Sequence, residues 1–166
     1  MHKDALKRAI EMEKEGRHFY LQAAEGAKNT LVKKVFEQLA KEEELHMQKI
    51  EEIYALLDKE GSVHTWITAI VPADTLRKVF RESLVEKAIS SEDEINVLNF
   101  AAKREEESIK YYEELAQRTD DAKERRFYLA LSYEEKGHYL TIMDTLEYLK
   151  NPVDWMRLQE KNILEG

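Results

Sequence analysis

Apolar residues recur at steps of three and four through four long segments, roughly 3–28, 30–58, 92–119 and 121–149. That is the period of an amphipathic helix. The second segment is the clearest: Val32, Phe36, Leu39, Glu43, His46, Ile50, Ile53 and Leu57 form one stripe. Glu43 and His46 lie inside that stripe, where a solvated pair has no place. The first segment lines up Leu6, Ala9, Glu13, Gly16, Tyr20, Ala23 and Ala27. The third lines up Leu98, Ala101, Glu105, Ser108, Tyr112 and Leu115, and the fourth Phe127, Leu131, Glu135, His138, Ile142 and Leu149. Each stripe carries one acid on its inward face.

The four stripes are two copies of one pattern. A shift of 92 residues maps Leu6 onto Leu98, Glu13 onto Glu105, Tyr20 onto Tyr112, Leu39 onto Leu131 and Ile50 onto Ile142. It also maps Glu43-x-x-His46 onto Glu135-x-x-His138. The chain is therefore a duplicated helix hairpin, 5–57 and 97–149. Helices packed antiparallel carry residues at one height when these are equidistant from the turn. Residue 28 is midway between Glu13 and Glu43, in the turn-like run Gly26-Ala27-Lys28-Asn29-Thr30. Residue 120 is midway between Glu105 and Glu135, in Arg118-Thr119-Asp120-Asp121. Both hairpins thus place their acid and their Glu-x-x-His level.

The predicted fold is an all-α four-helix bundle over residues 1–150, with a tail from 151 to 166. The connection from 59 to 91 is long enough to act as a crossover, so that the third helix starts at the opposite end from where the second stops. Gly61 and Pro72 interrupt it, and Leu76, Val79, Phe80 and Leu84 after Asp74 predict a short extra helix over 74–89. Asn151-Pro152 ends the fourth helix, and Trp155, Met156 and Leu158 are expected to pack on the bundle or on a neighbouring subunit.

Glu13, Glu43, His46, Glu105, Glu135 and His138 together make four carboxylates and two imidazoles at one height of a bundle. Residues three apart are neighbours on one helix face, so each Glu-x-x-His can serve one site. This is the ligand set of a dinuclear metal centre. Oxygen-rich ligands with some imidazole suit iron or manganese, and zinc can take the same set. Four carboxylates balance two divalent ions, whereas without metal their mutual repulsion requires some to protonate. Tyr20 and Tyr112, two turns beyond their acids, are candidates to hold a ligand carboxylate from outside the site. Glu11, Glu15, Glu42, Glu44, Glu106, Glu107 and Glu134 are expected on solvated faces. His2, His18 and His64 have no repeat partner and are expected not to ligate. Gly16 and Ser108, one turn from their acids, leave room either for an oxidant or for close helix packing.

The arrangement Glu13…Tyr20…Glu43-x-x-His46, then Glu105…Tyr112…Glu135-x-x-His138, resembles the ferritin-like diiron-carboxylate superfamily. It is most similar to the rubrerythrin branch, over about 3–149. The resemblance implies a nonhaem site of two iron ions. Glu13 and Glu105 would be terminal ligands, Glu43 and Glu135 bridging ligands, and His46 and His138 end ligands. It implies oxidation of ferrous iron by oxygen or peroxide, commonly as peroxide reduction. A separate electron-donor protein and a homodimer are expected with it. Two departures stand out. Rubrerythrins usually carry a rubredoxin domain with four cysteines, and this chain has none. Many also have a further Glu three residues after the third-helix ligand, where this chain has Ser108. The site is then more symmetric, nearer to bacterioferritin-like centres. A ferroxidase or iron-handling protein, an organic-substrate oxygenase and a bundle that metal merely stabilises are the alternatives.

Composition narrows the remaining classes. A net charge of −8 offers no basic footprint for nucleic acid and is compatible with attracting cations. The absence of cysteine excludes disulfides, thiolate catalysis and rubredoxin-type iron in this chain. Met1-His2-Lys3-Asp4 leads into a charged amphipathic segment, and no apolar run is long enough for a membrane span. A cytoplasmic protein is expected.

Overall fold

The computed structural model describes residues 3–60, 92–155 and 157. Four helices dominate: α1 (Lys3–Gly26), α2 (Thr30–Glu60), α3 (Glu92–Arg118) and α4 (Ala122–Lys150). They form an all-α, ferritin-like bundle, with no strand among the described residues. α1 packs along α2 and α3 along α4, and the two hairpins meet through α1 with α3 and α2 with α4. The predicted segments match these helices to within a few residues at each end.

The two turns are stopped and restarted by the same device. Asn29 Oδ1 accepts from the backbone N–H of Leu31 at 2.9 Å and of Val32 at 3.3 Å. Asp121, related to it by the 92-residue shift, accepts at Oδ1 from the N–H of Lys123 at 2.7 Å and of Glu124 at 3.0 Å. Each side chain satisfies donors that the first turn of the next helix leaves unpaired. Glu94, in the first turn of α3, accepts from the N–H of Lys28 at 2.8 Å and of Asn29 at 2.7 Å. α3 therefore begins beside the α1–α2 turn, where α2 also begins. The other end of α2 lies roughly 45 Å away at 1.5 Å per residue. The ends of α2 and α3 are thus placed as a crossover topology requires. The crossover itself and the short helix predicted over 74–89 lie outside the described residues, as do His2, His64 and Trp66.

α4 stops at Lys150, and residues 152–155 form one further helical turn after Asn151. Proline is suited to the first position of a helix, so Pro152 both ends α4 and opens that turn. Trp155 is buried edge-on against Tyr148, with ring centroids 5.6 Å apart. The tail thus packs on the bundle through Trp155. The side chains of Met156 and Leu158 lie outside the described residues.

The core is split in two. One apolar cluster, around Tyr20, Phe36, Leu39, Leu98 and Ile142, fills the end near the α1–α2 turn. The other, around Leu6, Ile50, Tyr112, Tyr128 and Leu131, fills the opposite end. Between them the inward positions are acids and histidines. Placing a charged layer between two dry plugs is costly unless something neutralises it. No described helix is long and apolar enough to cross a membrane.

Candidate metal centre

Each helix of the bundle contributes to the layer between the two clusters. α1 supplies Glu13, α2 supplies Glu43 and His46, α3 supplies Glu105, and α4 supplies Glu135 and His138. All six are buried, although Glu and His on such charge-rich helices would ordinarily face water. They sort into two groups. Glu13, Glu43, His46 and Glu135 bring one donor atom each within 4.8 Å of one another, and so do Glu43, Glu105, Glu135 and His138. Glu43 and Glu135 belong to both groups. The six residues singled out in the sequence are therefore brought together, and no described residue outside the six joins either group.

The two imidazoles stack, with ring centroids 5.2 Å apart and planes 14° from parallel. Both turn Nδ1 inward. His46 Nδ1 lies 3.2 Å from Glu13 Oε2 and 3.1 Å from Glu135 Oε1. Of the two, only the contact with Glu13 has hydrogen-bond geometry. Glu135 Oε1 is left without a hydrogen-bond partner despite the shorter distance. His138 Nδ1 has Glu43 Oε1 at 3.4 Å, Glu135 Oε2 at 3.6 Å and Glu105 Oε2 at 3.7 Å, and hydrogen-bonds to none of them.

Burial and crowding divide the protons unevenly. Burial, then the charges of Glu13 and Glu135, raises Glu43 well above the usual carboxylate range. Burial and the Glu135 charge push Glu105 up to about 8. Burial opposes charge on Glu135 too, but contacts with His138 and His46 hold it well below the usual range. For the imidazoles burial alone would favour the neutral form. Glu13 and Glu135 around His46, and Glu105 and Glu135 around His138, instead hold both well above an ordinary histidine. Without metal the layer thus keeps itself near neutrality with protons. A cation would take over that role.

The donor set fits a metal. Glu105 Oε2, Glu135 Oε1 and His138 Nδ1 are buried with no hydrogen-bond partner, and all three face the layer. Buried polar atoms without partners are expensive, and a cation that displaces their protons would satisfy several at once. Carboxylate oxygens with imidazole nitrogens are suitable ligands for first-row divalent ions.

Tyr20 and Tyr112 also act here, across the hairpins. The Tyr20 hydroxyl donates to Glu105 Oε1, and the Tyr112 hydroxyl donates to Glu13 Oε1. Each holds the acid of the opposite half, not the one two turns earlier on its own helix. Burial first, then the neighbouring carboxylate, raises both phenols well above their usual range, so they remain donors. Gly16 has a different role from leaving open space. A Cβ there would sit 3.2 Å from Glu43 Cδ and 3.3 Å from its Oε2, so the missing side chain makes room for the carboxylate. Ser108, its counterpart, is half-buried.

One residue expected on a solvated face belongs to the site. Glu42 is half-buried, and its Oε2 lies 3.0 Å from His138 Nε2. It also accepts from Gln38 Nε2 at 2.8 Å. Burial opposes charge on Glu42, but His138 and Gln38 lower its pKa. A carboxylate on the outer imidazole nitrogen fixes the ring and leaves the inner nitrogen to a metal. Its counterpart Glu134 is half-buried too, and burial raises its pKa, but it makes no such bond to His46. Of the other acids expected in solvent, Glu11, Glu15, Glu106 and Glu107 are exposed, and Glu44 pairs with Arg17 near the surface. His18 is exposed as expected.

A solved structure, the hypothetical protein Pfu-1136390-001 from Pyrococcus furiosus, has the same fold, with a TM-score of 0.65 over 90% of each chain and 24% sequence identity. No curated protein matches the sequence. The rubrerythrin family model matches residues 4–146, a span that holds all four helices' contributions to the layer. This chain belongs to the rubrerythrin family.

Proposed function

We propose that this protein is a nonhaem diiron oxidoreductase that reduces peroxide or oxygen while iron cycles between Fe(II) and Fe(III). The observation that carries this reading is the overlap of the two donor groups at Glu43 and Glu135. Glu43 and Glu135 could thus help to hold two ions at once, and two such ions would supply redox chemistry to one small oxidant. Glu13 with His46, and Glu105 with His138, would close the two ends. Iron bound there supplies the one-electron steps that no side chain of the layer can perform.

The chain supplies the surroundings. The apolar clusters above and below the layer exclude water. Tyr20 and Tyr112 hold Glu105 and Glu13 in place and keep their protons. Glu42 holds His138. Reduction of peroxide to two waters consumes two electrons and two protons. These 166 residues hold no cysteine and hence no rubredoxin-type iron, which supports a separate protein as the electron donor.

A ferroxidase or iron-handling role is the second reading. The small residues Gly16 and Ser108 at related positions favour it, since neither adds a carboxylate and the ligand set stays symmetric. Metal analysis and anaerobic stopped-flow oxidation of the diferrous protein separate these readings. Two ions per chain and faster oxidation by peroxide than by oxygen are expected for a peroxidase. Faster oxidation by oxygen would replace it with the ferroxidase reading. Failure to bind iron, with no rise in melting temperature on adding it, would sink both.

A further inference from the structure

The duplication supplies an internal control for the surroundings of the two tyrosines that reach the layer. Tyr20 and Tyr112 are counterparts, and each donates its hydroxyl to an acid of the opposite half. Their neighbours are counterparts too, and these differ. Tyr20 has Phe19 beside it, with ring centroids 5.3 Å apart, and Phe36 stacked on it at 5.8 Å. The same two positions 92 residues later are Tyr111 and Tyr128. Tyr111 stands edge-on to Tyr112 at 5.6 Å, and Tyr128 is buried in the same apolar cluster. One end of the core thus surrounds its tyrosine with phenyl rings and the other with phenols. Filling space does not require the difference, because a hydroxyl in a core needs a hydrogen-bond partner of its own. Tyr111 donates to the carbonyl oxygen of Ala5 at 3.2 Å, and Tyr128 to Glu124 Oε1 at 3.1 Å.

The chemical difference between the two sets of rings lies in oxidation. A phenol gives up one electron together with its proton far more readily than a phenyl ring gives up an electron. Both halves have rings in contact from the layer to the surface. From Tyr20 the path runs through Phe19 to Phe100, a further 5.3 Å on and 54% exposed. From Tyr112 it runs to Tyr111, which is half-buried and so meets solvent. Only the second path is oxidisable at every step. Tyr112 also has a proton acceptor in place, because its hydroxyl already points at Glu13 Oε1.

We infer that Tyr112 and Tyr111 form a one-electron path between the layer and the surface, along which a small reductant such as ascorbate supplies electrons for peroxide reduction. The inference rests on the reading of the layer as a diiron centre. Tyr112 gives one electron to the oxidised site and its proton to Glu13. Tyr111 then gives one electron to Tyr112, which takes its proton back from Glu13, while the Tyr111 proton leaves to water. A hydrogen atom from ascorbate restores the Tyr111 phenol. Two such passages oxidise two ascorbates by one electron each and release two protons. Those electrons and protons break the O–O bond of one peroxide and form the two new O–H bonds of two waters. Tyr20, walled by phenyl rings, holds Glu105 and takes no part in the transfer.

The test mixes iron-loaded, reduced full-length protein with excess hydrogen peroxide and no reductant, and reads it by freeze-quench electron paramagnetic resonance. The wild type should show a phenoxyl signal, and a nitroso spin trap should label Tyr111 in peptide mass spectra. Tyr112→Phe should lose both. Tyr20→Phe removes the equivalent hydrogen bond from Glu105, which controls for a loosened carboxylate, and should keep both in proportion to the iron bound. Tyr111→Phe should keep the phenoxyl at Tyr112, lose the label, and slow the decay of the signal when ascorbate is added. Equal loss from Tyr20→Phe and Tyr112→Phe would overturn the path, as would a signal that survives Tyr112→Phe. Iron oxidised by peroxide with no phenoxyl in the wild type would overturn the path and leave the diiron reading standing. Failure to bind iron would overturn both.

Discussion

The two ends of the candidate metal layer carry the same kinds of side chain and different supports. At one end His46 turns Nδ1 towards Glu13 and Glu135, and its ring is slightly open to solvent. At the other, His138 is fully enclosed and its outer nitrogen is held by Glu42 at 3.0 Å. The tyrosines do not share this asymmetry: Tyr20 and Tyr112 hold Glu105 and Glu13 in matching fashion across the hairpins. The comparison separates two kinds of inheritance. Residues directed into the layer have kept the symmetry of the duplication. Residues one step outside it have diverged, and they make one half of the site better held than the other.

The strongest test removes what the two ends share. Glu43→Ala combined with Glu135→Ala deletes both shared carboxylates. Metal binding should be abolished at both ends, with the melting temperature insensitive to added iron or manganese. Glu13→Ala and Glu105→Ala should each disturb one end, and elemental analysis should show about one ion retained. Retention of two ions in the double variant would show that the shared residues do not bridge.

The support itself comes next. Glu42→Ala should weaken the His138 end by about 10- to 100-fold, the usual effect of losing a carboxylate behind a ligating histidine. Glu42→Gln keeps an acceptor and should recover part of that loss. Glu134→Ala should change affinity by much less. Calorimetric titration with manganese reads all three, and equal losses from Glu42→Ala and Glu134→Ala would erase the asymmetry.

A pH series on metal-free protein probes the layer as a whole. An unfolded glutamate loses its proton near 4.5, whereas Glu105 keeps its proton to about 8. Its contribution is complete below 4.5 and is lost as pH rises through 8. The raised imidazoles of His46 and His138 act in the same direction above their ordinary value of 6.5. Glu135, whose pKa is lowered, acts oppositely and loses its contribution as pH falls below 4.5. In chelator, melting temperature should therefore fall steadily between pH 6.5 and 9. Bound metal should flatten that slope, because it replaces the protons. A metal-free protein equally stable at both ends of the range would contradict this proton distribution.

The smallest expected effect is at Gly16. Gly16→Ala places a methyl 3.2 Å from Glu43 Cδ, tighter than ordinary packing allows. Glu43 should shift by a few tenths of an ångström, and metal affinity should drop modestly at both ends. Ser108→Ala, at the matching position, serves as the control and should be close to neutral.

The helices and the six layer residues were legible because two independent regularities coincide on them. Each lies on an apolar stripe of helical period, and each has a counterpart 92 residues away. The turns were legible for a similar reason: Asn29 and Asp121, which cap the next helix, each lie one residue past the midpoint that level ligands require. Glu42 was not legible. It precedes Glu43 and so sits about 100° round the helix from the stripe, among acids that do face water. The one available signal was Gln38 four residues earlier, which pairs with it, and such pairs are common on exposed helices. Only the closeness of α2 to α4 turns that position into a partner for His138. The tyrosines were found as candidates, but their targets lay across the bundle, where helix periodicity says nothing about distance.

Local periodicity and internal repetition, both written along one dimension, determined the four helices, their pairing into hairpins and the composition of the layer. A helix face is set by residue spacing alone, so the sequence suffices for what each helix turns inward. What lies opposite that face depends on how α1 meets α3 and how α2 meets α4. Those contacts join residues about 90 positions apart, as with Tyr20 and Glu105 or Glu42 and His138. The tertiary structure decided which acid each tyrosine holds, which histidine is braced, and that Gly16 is small to make room for Glu43.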